Sequence, residues 1–237
     1  LIINGFEPVP AWACKLQSVP SVSLSHQASF LSPKTPRPSN FFHWAEWVFK
    51  HYAPATHHIG FHFDRYDEFI HTPVIRSDIR RSATTDLGHM TVYLPAFDDR
   101  ILLTYLKRLP EVQWEVFSKH TPKGYTEGNV KVFPINNEQY NKSLASSHGL
   151  LTGGGFEGPA EALFLRKKVL VIPMKHQYEQ LCNAEAARRL GIPVIQEVDD
   201  TFVDRLKSWI SDPFFVSMSF PDETSGIIDG MIKKFAV

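Results

Sequence analysis

The chain is poor in cysteine: Cys14 and Cys182 are its only two in 237 residues, and no Cys or His spacing of a metal site accompanies them. Both sit in helical patterns and read as free thiols of a reducing compartment, which sets cytoplasmic as the expected location. Charge of one sign is also lacking. Lys and Arg number 25 against 25 Asp and Glu, so the net charge is zero and general nucleic-acid affinity is excluded as an expectation. No apolar run approaches the roughly 18 residues of a membrane span. There is no basic leader: the chain opens on Leu1, without Met, directly in an apolar strand. That opening predicts no signal peptide and reads as a fragment whose beginning lies elsewhere. GxxxxGK[ST] does not occur, and the dinucleotide and P-loop readings are both weak. What remains is 43% hydrophobic and 13% aromatic, a globular chain of one or two domains with a large core.

The stretch from His148 to Gly191 organises the rest. Leu150-Leu151-Thr152 is a short apolar run that fits a buried strand, and Gly153-Gly154-Gly155 follow at once. Pro159 suits the first turn of a helix, and Ala160 to Leu165 are good helix formers. Val169 to Ile172 reads as a second buried strand. Gln177 to Leu190 is helical in pattern and ends at Gly191, where a C-cap glycine belongs. The order is strand, glycine turn, helix, strand, helix: a βαβ unit of a parallel sheet.

Three glycines between a strand and a helix admit two readings. One is a tight turn and nothing more. The other is a turn whose N–H groups approach an anion, with the helix dipole adding about 0.3–1 kcal/mol; a diphosphate is then the natural guest. Glu161, about one turn into the helix, either faces the same ligand or is a solvated carboxylate. Glu179, Gln180 and Asn183 open the next helix beyond a strand's carboxyl end, where ligands of open α/β sheets bind. Gln180 and Asn183 are three apart and share a face, from which they can hydrogen-bond hydroxyl groups.

The pattern TGGGFEGPAEAL…KKVLVIPM…QYEQLCNA…LGIPVI resembles the carboxyl-terminal donor site of GT-B nucleotide-sugar glycosyltransferases. The inverting UDP-glycosyltransferases and the enzyme that forms lipid II are similar. The resemblance extends over most of residues 88–195. It implies α/β architecture with two Rossmann-like domains on parallel sheets, the donor domain complete and the first domain partial. It also implies that Gly154 and Gly155 cradle a diphosphate, beside Gly153 and Phe156. Glu161 would bind ribose hydroxyls; Glu179 and Gln180 would face the donor sugar, with Asn183 completing the pattern. Phe133, Pro134 and Ile135 would hold the base. Gly153 departs from the His or Asn often found there, so no side-chain contact to phosphate is carried over at that position.

Residues 1–75 read as the tail of the first domain: a strand at Leu1–Ile3, a helix over Pro8–Gln17, and a strand at Ser21–Ser25 with His26 and Gln27 just past it. Ser32–Asn40 reads as a loop. Phe41–Tyr52 predicts a helix whose stripe of Trp44, Trp47, Val48 and Tyr52 packs in the core. His58–Phe63 predicts a strand; its histidines complete no ligand set, and no metal is expected. Residues 71–87 match an interdomain linker whose Arg76, Arg80 and Arg81 either meet phosphate or anionic lipid or, as expected here, are solvated. In the donor domain, 88–237, strands are predicted at His89–Leu94, Val112–Phe117 and Val130–Phe133, then Pro193–Ile195. Asp98 caps a helix through Leu109. Helices are predicted at Asn136–Ser146, Thr201–Ile210 and Gly226–Phe235, the last of a kind that GT-B proteins send back to the first domain.

The implied activity is inverting transfer of a sugar, from a UDP-sugar in the first instance, without metal or other cofactor. The acceptor is an unidentified glycan, lipid or small molecule, and peripheral membrane contact is compatible with a chain that has no transmembrane segment. No catalytic base can be named. A nucleotide-sugar 2-epimerase shares the architecture, but its glycine motif usually carries Ser before the glycines and paired carboxylates after them. Here Thr152 precedes them and Ala162 follows Glu161. A non-catalytic nucleotide-sugar-binding subunit is the third reading.

Overall fold

The computed structural model describes residues 1–39 and 43–235. They divide into two compact units, 1–74 with 220–237, and 75–219.

The first unit is built on a parallel sheet of four strands in sequential order: β1 (Ile2–Asn4), β2 (Ser21–Ser25), β3 (His57–Phe61) and β4 (Ile70–His71). α1 (Pro8–Leu16) connects the first two strands. A short 3-10 helix (Gln27–Leu31) and α2 (His43–His51) connect the next two. Two strand expectations need adjusting. The third strand ends at Phe61 rather than Phe63, and the two-residue β4 was not foreseen. Phe41 and Phe42, the expected start of α2, lie outside the described residues.

The aromatic stripe of α2 is a correction. Trp44, Trp47 and Tyr52 are exposed, and the buried residues of the helix are Ala45 and Phe49. Phe49 stacks on Phe30 at 4.6 Å between ring centroids. Helical spacing defines a face but not which face turns inward. Here the small Ala45 allows close approach to the 3-10 helix, and three large rings would not.

α9 (Thr224–Phe235) also belongs to this unit, although the expected grouping put it with the donor domain. Its Ile227, Ile228, Met231 and Phe235 recur at helical spacing and pack on Val22, Ile59 and Phe61. Phe235 stacks on His57 at 4.0 Å. An Arg65–Glu223 ion pair holds the chain where it enters the helix.

The second unit contains a six-stranded sheet: β5 (Met90–Tyr93), β6 (Trp114–Ser118), β7 (Tyr125–Glu127), β8 (Val130–Pro134), β9 (Gly149–Gly153) and β10 (Lys168–Ile172). The spatial order is β10-β9-β5-β6-β8-β7; all neighbours are parallel except β7 and β8. The antiparallel β7 was not foreseen; all three of its residues are exposed, so it has no apolar signature. Pro193–Ile195 forms only an isolated bridge, Val171 to Val194, in place of the expected strand. The helices are α3 (Ser77–Arg80), α4 (Asp99–Leu106), α5 (Asn137–Ser146), α6 (Glu157–Phe164), α7 (Tyr178–Arg189) and α8 (Phe202–Ser211).

Local chemistry accounts for the helix ends. Asp98 caps α4 by accepting from the Arg100 N–H at 2.8 Å, and Asn136 caps α5 by accepting from Gln139 at 2.9 Å. α7 stops where Gly191 takes φ +86°, a conformation that L side chains resist. One face of the sheet buries Met90, Val92, Trp114, Val116, Val130 and Val132 against Leu102, Leu106, Phe202 and Leu206 of α4 and α8. Every residue of β10 is buried although it ends the sheet order, with the Val171–Val194 bridge on its outer side.

The chain runs outward from β5 through β6 and β8, then returns to place β9 on the other side of β5. The order therefore reverses between β5 and β9, whose carboxyl ends are registered at Tyr93 and Thr152. In open α/β sheets a crevice at such a reversal is where ligands bind. The segment expected as a solvated linker is structured: it carries α3, and Ile75 and Ile79 are buried. Among the described residues no helix is long and apolar enough to cross a membrane.

Candidate donor site at the β9–α6 turn

The turn after β9 is fastened by α7. The Gly154 N–H donates to Gln180 Oε1 at 3.1 Å, and the Gly154 carbonyl accepts from Asn183 Nδ2, also at 3.1 Å. The same Gln180 oxygen accepts from the Met174 N–H at 3.0 Å. One amide side chain thus joins the chain leaving β9 to the chain leaving β10. Gln180 and Asn183 share a face of α7, as their spacing predicts. Their use differs from the expectation: they hold Gly154 rather than standing open to hydroxyl groups.

The three glycines separate into distinct roles. A Cβ on Gly154 would lie 2.7 Å from the Gln180 carbonyl oxygen, 2.8 Å from Gln180 Cβ and 3.0 Å from Pro173 Cβ. Glycine there lets α7 approach the turn. A Cβ on Gly153 would meet ordinary contacts at 3.6 and 3.9 Å, and one on Gly155 would meet nothing within 4 Å. The Gly154 amide, expected at a diphosphate, is therefore taken by Gln180. The open side of the turn is at Gly155, where α6 begins. Phe156, the N-cap residue, makes no side-chain capping bond to the first turn of α6.

Replacing Gln180 with Met keeps its length and removes the shared acceptor. The part-buried Gly154 N–H and the exposed Met174 N–H lose their partner, and a loss of about 1 kcal/mol is expected. Urea unfolding of Gln180→Met beside the unaltered chain measures it; unchanged stability would mean the brace carries no load.

Glu161 is buried at 3% exposure, so the solvated alternative does not hold. Its carboxylate meets Arg76 in a two-pronged pair, Nε to Oε1 at 2.6 Å and Nη2 to Oε2 at 2.8 Å. Nη2 also donates to Asn141 Oδ1 at 3.2 Å. Arg76 is thus a second correction: it is engaged by α6 and α5. Arg80 lies over the Phe164 ring at 5.0 Å, while Arg81 remains exposed and reaches back to Ser77 and Asp78. Arg76 had no local signal, because its partner is 85 positions away.

Tyr140 of α5 was also missed. A Cβ on Gly158, in the first turn of α6, would lie 3.7 Å from both Tyr140 Oη and Thr152 Oγ1. Burial, and then the Glu161 charge, push the Tyr140 hydroxyl above its ordinary value, so it stays a neutral hydrogen-bonding group. The ring contacts Tyr93 at 5.8 Å and Phe117 at 5.3 Å, and Phe117 stacks on Phe133 at 5.5 Å. This aromatic chain runs along the strand ends from the switch point to β8. Phe133 is half-buried in it and Ile135 is exposed. Both lie at the same edge as the glycine turn, but three strand spacings from β9, roughly 14 Å. Glu179 is half-buried in the first turn of α7, next to Gln180.

In the first unit, His26 and His62 lie just past the carboxyl ends of β2 and β3, with rings 5.0 Å apart. His26 Nδ1 is 2.8 Å from the Phe61 carbonyl oxygen, and His62 Nδ1 accepts from the Phe63 N–H at 2.8 Å. Burial, then the charges of His26 and Arg37, hold His62 well below the usual histidine range.

Several solved structures share the architecture. The glycotransferase of kitacinnamycin aligns with a TM-score of 0.55 at 17% identity, over 85% of this chain and 64% of its own. UGT89C1 of Arabidopsis thaliana, complexed with UDP, gives 0.61 at 14% over 90% and 64%. MurG of Acinetobacter baumannii gives 0.57 at 13% over 94% and 69%. The chain thus spans about two-thirds of the length of these structures, and the likeness is one of fold, the GT-B fold of α/β units on parallel sheets. Comparison with curated proteins gives no match. The family model described as Glycosyl transferase family 1 matches residues 1–212, and the chain belongs to that family.

Proposed function

We propose that the protein transfers a sugar from a nucleoside diphosphate donor, a UDP-sugar in the first instance, to an acceptor hydroxyl. The observation that carries this reading is the open side of the glycine turn. Among the described residues nothing lies within 4 Å of where a Gly155 Cβ would stand, just before helix α6, while Gly154 behind it is fixed to α7. Family membership supports the reaction class, and UGT89C1 has been solved with UDP and with UDP-L-rhamnose.

The diphosphate rests against the Gly155 amide and the amino-terminal end of α6. Glu161 receives the ribose hydroxyls, Glu179 faces the sugar, and Phe133 to Ile135 border the base. The acceptor oxygen attacks the anomeric carbon as the bond to the β-phosphate oxygen breaks, inverting that carbon, and the acceptor proton passes to a general base. Charge grows on the departing diphosphate, and fixed N–H dipoles aimed at it stabilise the transition state without a metal.

Calorimetry and thermal melting with UDP, dTDP and GDP test the binding. At about 100 times Kd a ligand contributes about 2.7 kcal/mol, which raises Tm by roughly 5–10 °C for a chain of this size. UDP is expected to give the largest shift, and incubation with UDP-sugars and acceptors to release UDP. No shift with any of the three nucleotides would remove the proposal.

A further inference from the structure

We propose that Arg76 is the positioning residue of this nucleotide site: its guanidinium fixes the orientation in which the Glu161 carboxylate meets the ribose. The inference rests on the donor reading above. A glutamate side chain has three rotatable bonds, and helix α6 fixes only its origin. The plane of the carboxylate is set by the Arg76 fork, which bonds one oxygen through Nε and the other through Nη2. A carboxylate offers about four acceptor positions, so a fork that uses one on each oxygen leaves one on each for a ligand.

Arg76 is itself held. Asn141 of α5 accepts from its Nη2, and the flanking Ile75 and Ile79 are buried. Arg80 of the same short helix packs over Phe164 of α6, so the Arg76 segment meets α6 at two points one turn apart. The Tyr140 hydroxyl from α5 lies near the pair, and the Glu157 charge on α6 acts on Arg76. The Arg76 side chain is half-exposed, on a groove of about 660 Å³ that Asp78 and Asn137 also line. Direct contact between Arg76 and the nucleotide is therefore the rival account.

Calorimetry on the full chain with UDP and 2′-deoxy-UDP separates the two. The unaltered protein is expected to prefer UDP. Arg76→Gln should lose roughly tenfold or more in UDP affinity, the size expected when hydrogen bonds to a charged group lose their geometry, and should bind the two nucleotides more nearly alike. Arg76→Lys restores the cation without the fork and should recover part of the loss; if Arg76→Gln fails to fold, this variant carries the comparison. In a Glu161→Gln background, adding Arg76→Gln should cost nothing further, because Arg76 acts only through that carboxylate. Losses that add in the double variant would assign Arg76 a direct contact and overturn the inference. Equal UDP binding by Arg76→Gln and the unaltered chain would overturn it while leaving the donor reading in place. A chain that binds neither nucleotide would remove both.

Discussion

Substituting alanine for Gly154 is expected to destabilise the second unit by about 3 kcal/mol, at the upper end of what one added methyl group costs in a packed interior. Two of the atoms it would meet, at 2.7 and 2.8 Å, are the backbone oxygen and Cβ of Gln180, and neither can swing aside without moving α7. The displacement would also stretch both hydrogen bonds that fasten the turn, from Gln180 and from Asn183. Gly155→Ala makes the contrast. It adds the same atom one residue later, into open space, at a φ outside the left-handed region. Its stability should stay within about 0.5 kcal/mol of the unaltered chain, the range of surface substitutions. Its nucleotide affinity should fall, because the methyl enters the space assigned to the diphosphate. Urea melts and UDP calorimetry on the two variants measure both quantities. A Gly154→Ala protein as stable as the original would show that α7 does not need the close approach.

The Arg76–Glu161 pair carries the second large effect, and it should be lopsided. Removing Arg76 strands a carboxylate whose side chain is 4% exposed, whereas removing Glu161 strands an arginine whose side chain is 44% exposed. Breaking a buried pair from the side that leaves an unpaired buried charge costs about 3–5 kcal/mol; water reaching the Arg76 end places the expected loss for Arg76→Met near the lower bound. Glu161→Leu should cost about 1 kcal/mol or less, since a half-exposed arginine side chain can be rehydrated. It should nonetheless abolish the preference for ribose. Equilibrium unfolding of Arg76→Met, Glu161→Leu and the double variant is the check. The double variant should recover much of the stability lost in Arg76→Met. Equal losses in the two single variants would refute the asymmetry.

Much of this architecture could be read from the residues, and the limits have physical causes. Leu150–Thr152 and Val169–Ile172 lie within β9 and β10, because continuous apolar runs bounded by glycine and charge have one good solution in a parallel sheet. The helix expected over Gln177–Leu190 spans Tyr178–Arg189. The same-face relation of Gln180 and Asn183 was also legible, but the atoms they would meet were not. Spacing along a helix gives neighbours on that helix and says nothing of a glycine amide 26 positions back. Arg76 is the sharper case. Three arginines in a polar, proline-bearing segment look alike in one dimension, and only tertiary structure sends one to a buried carboxylate, one over a ring and one to solvent. α2 failed differently. Trp44 and Trp47 have the stronger hydrophobic pattern, yet the inward side is the one small enough to fit.

The first unit is discontinuous in sequence, and α9 is its last piece. During synthesis the second unit has all of its residues before that helix leaves the ribosome. Ile59 and Val22 therefore wait without their partner Met231 while the later unit can already close. Domains emerging from the ribosome usually mature from the amino end. Here part of the earlier-made unit is synthesised after the second.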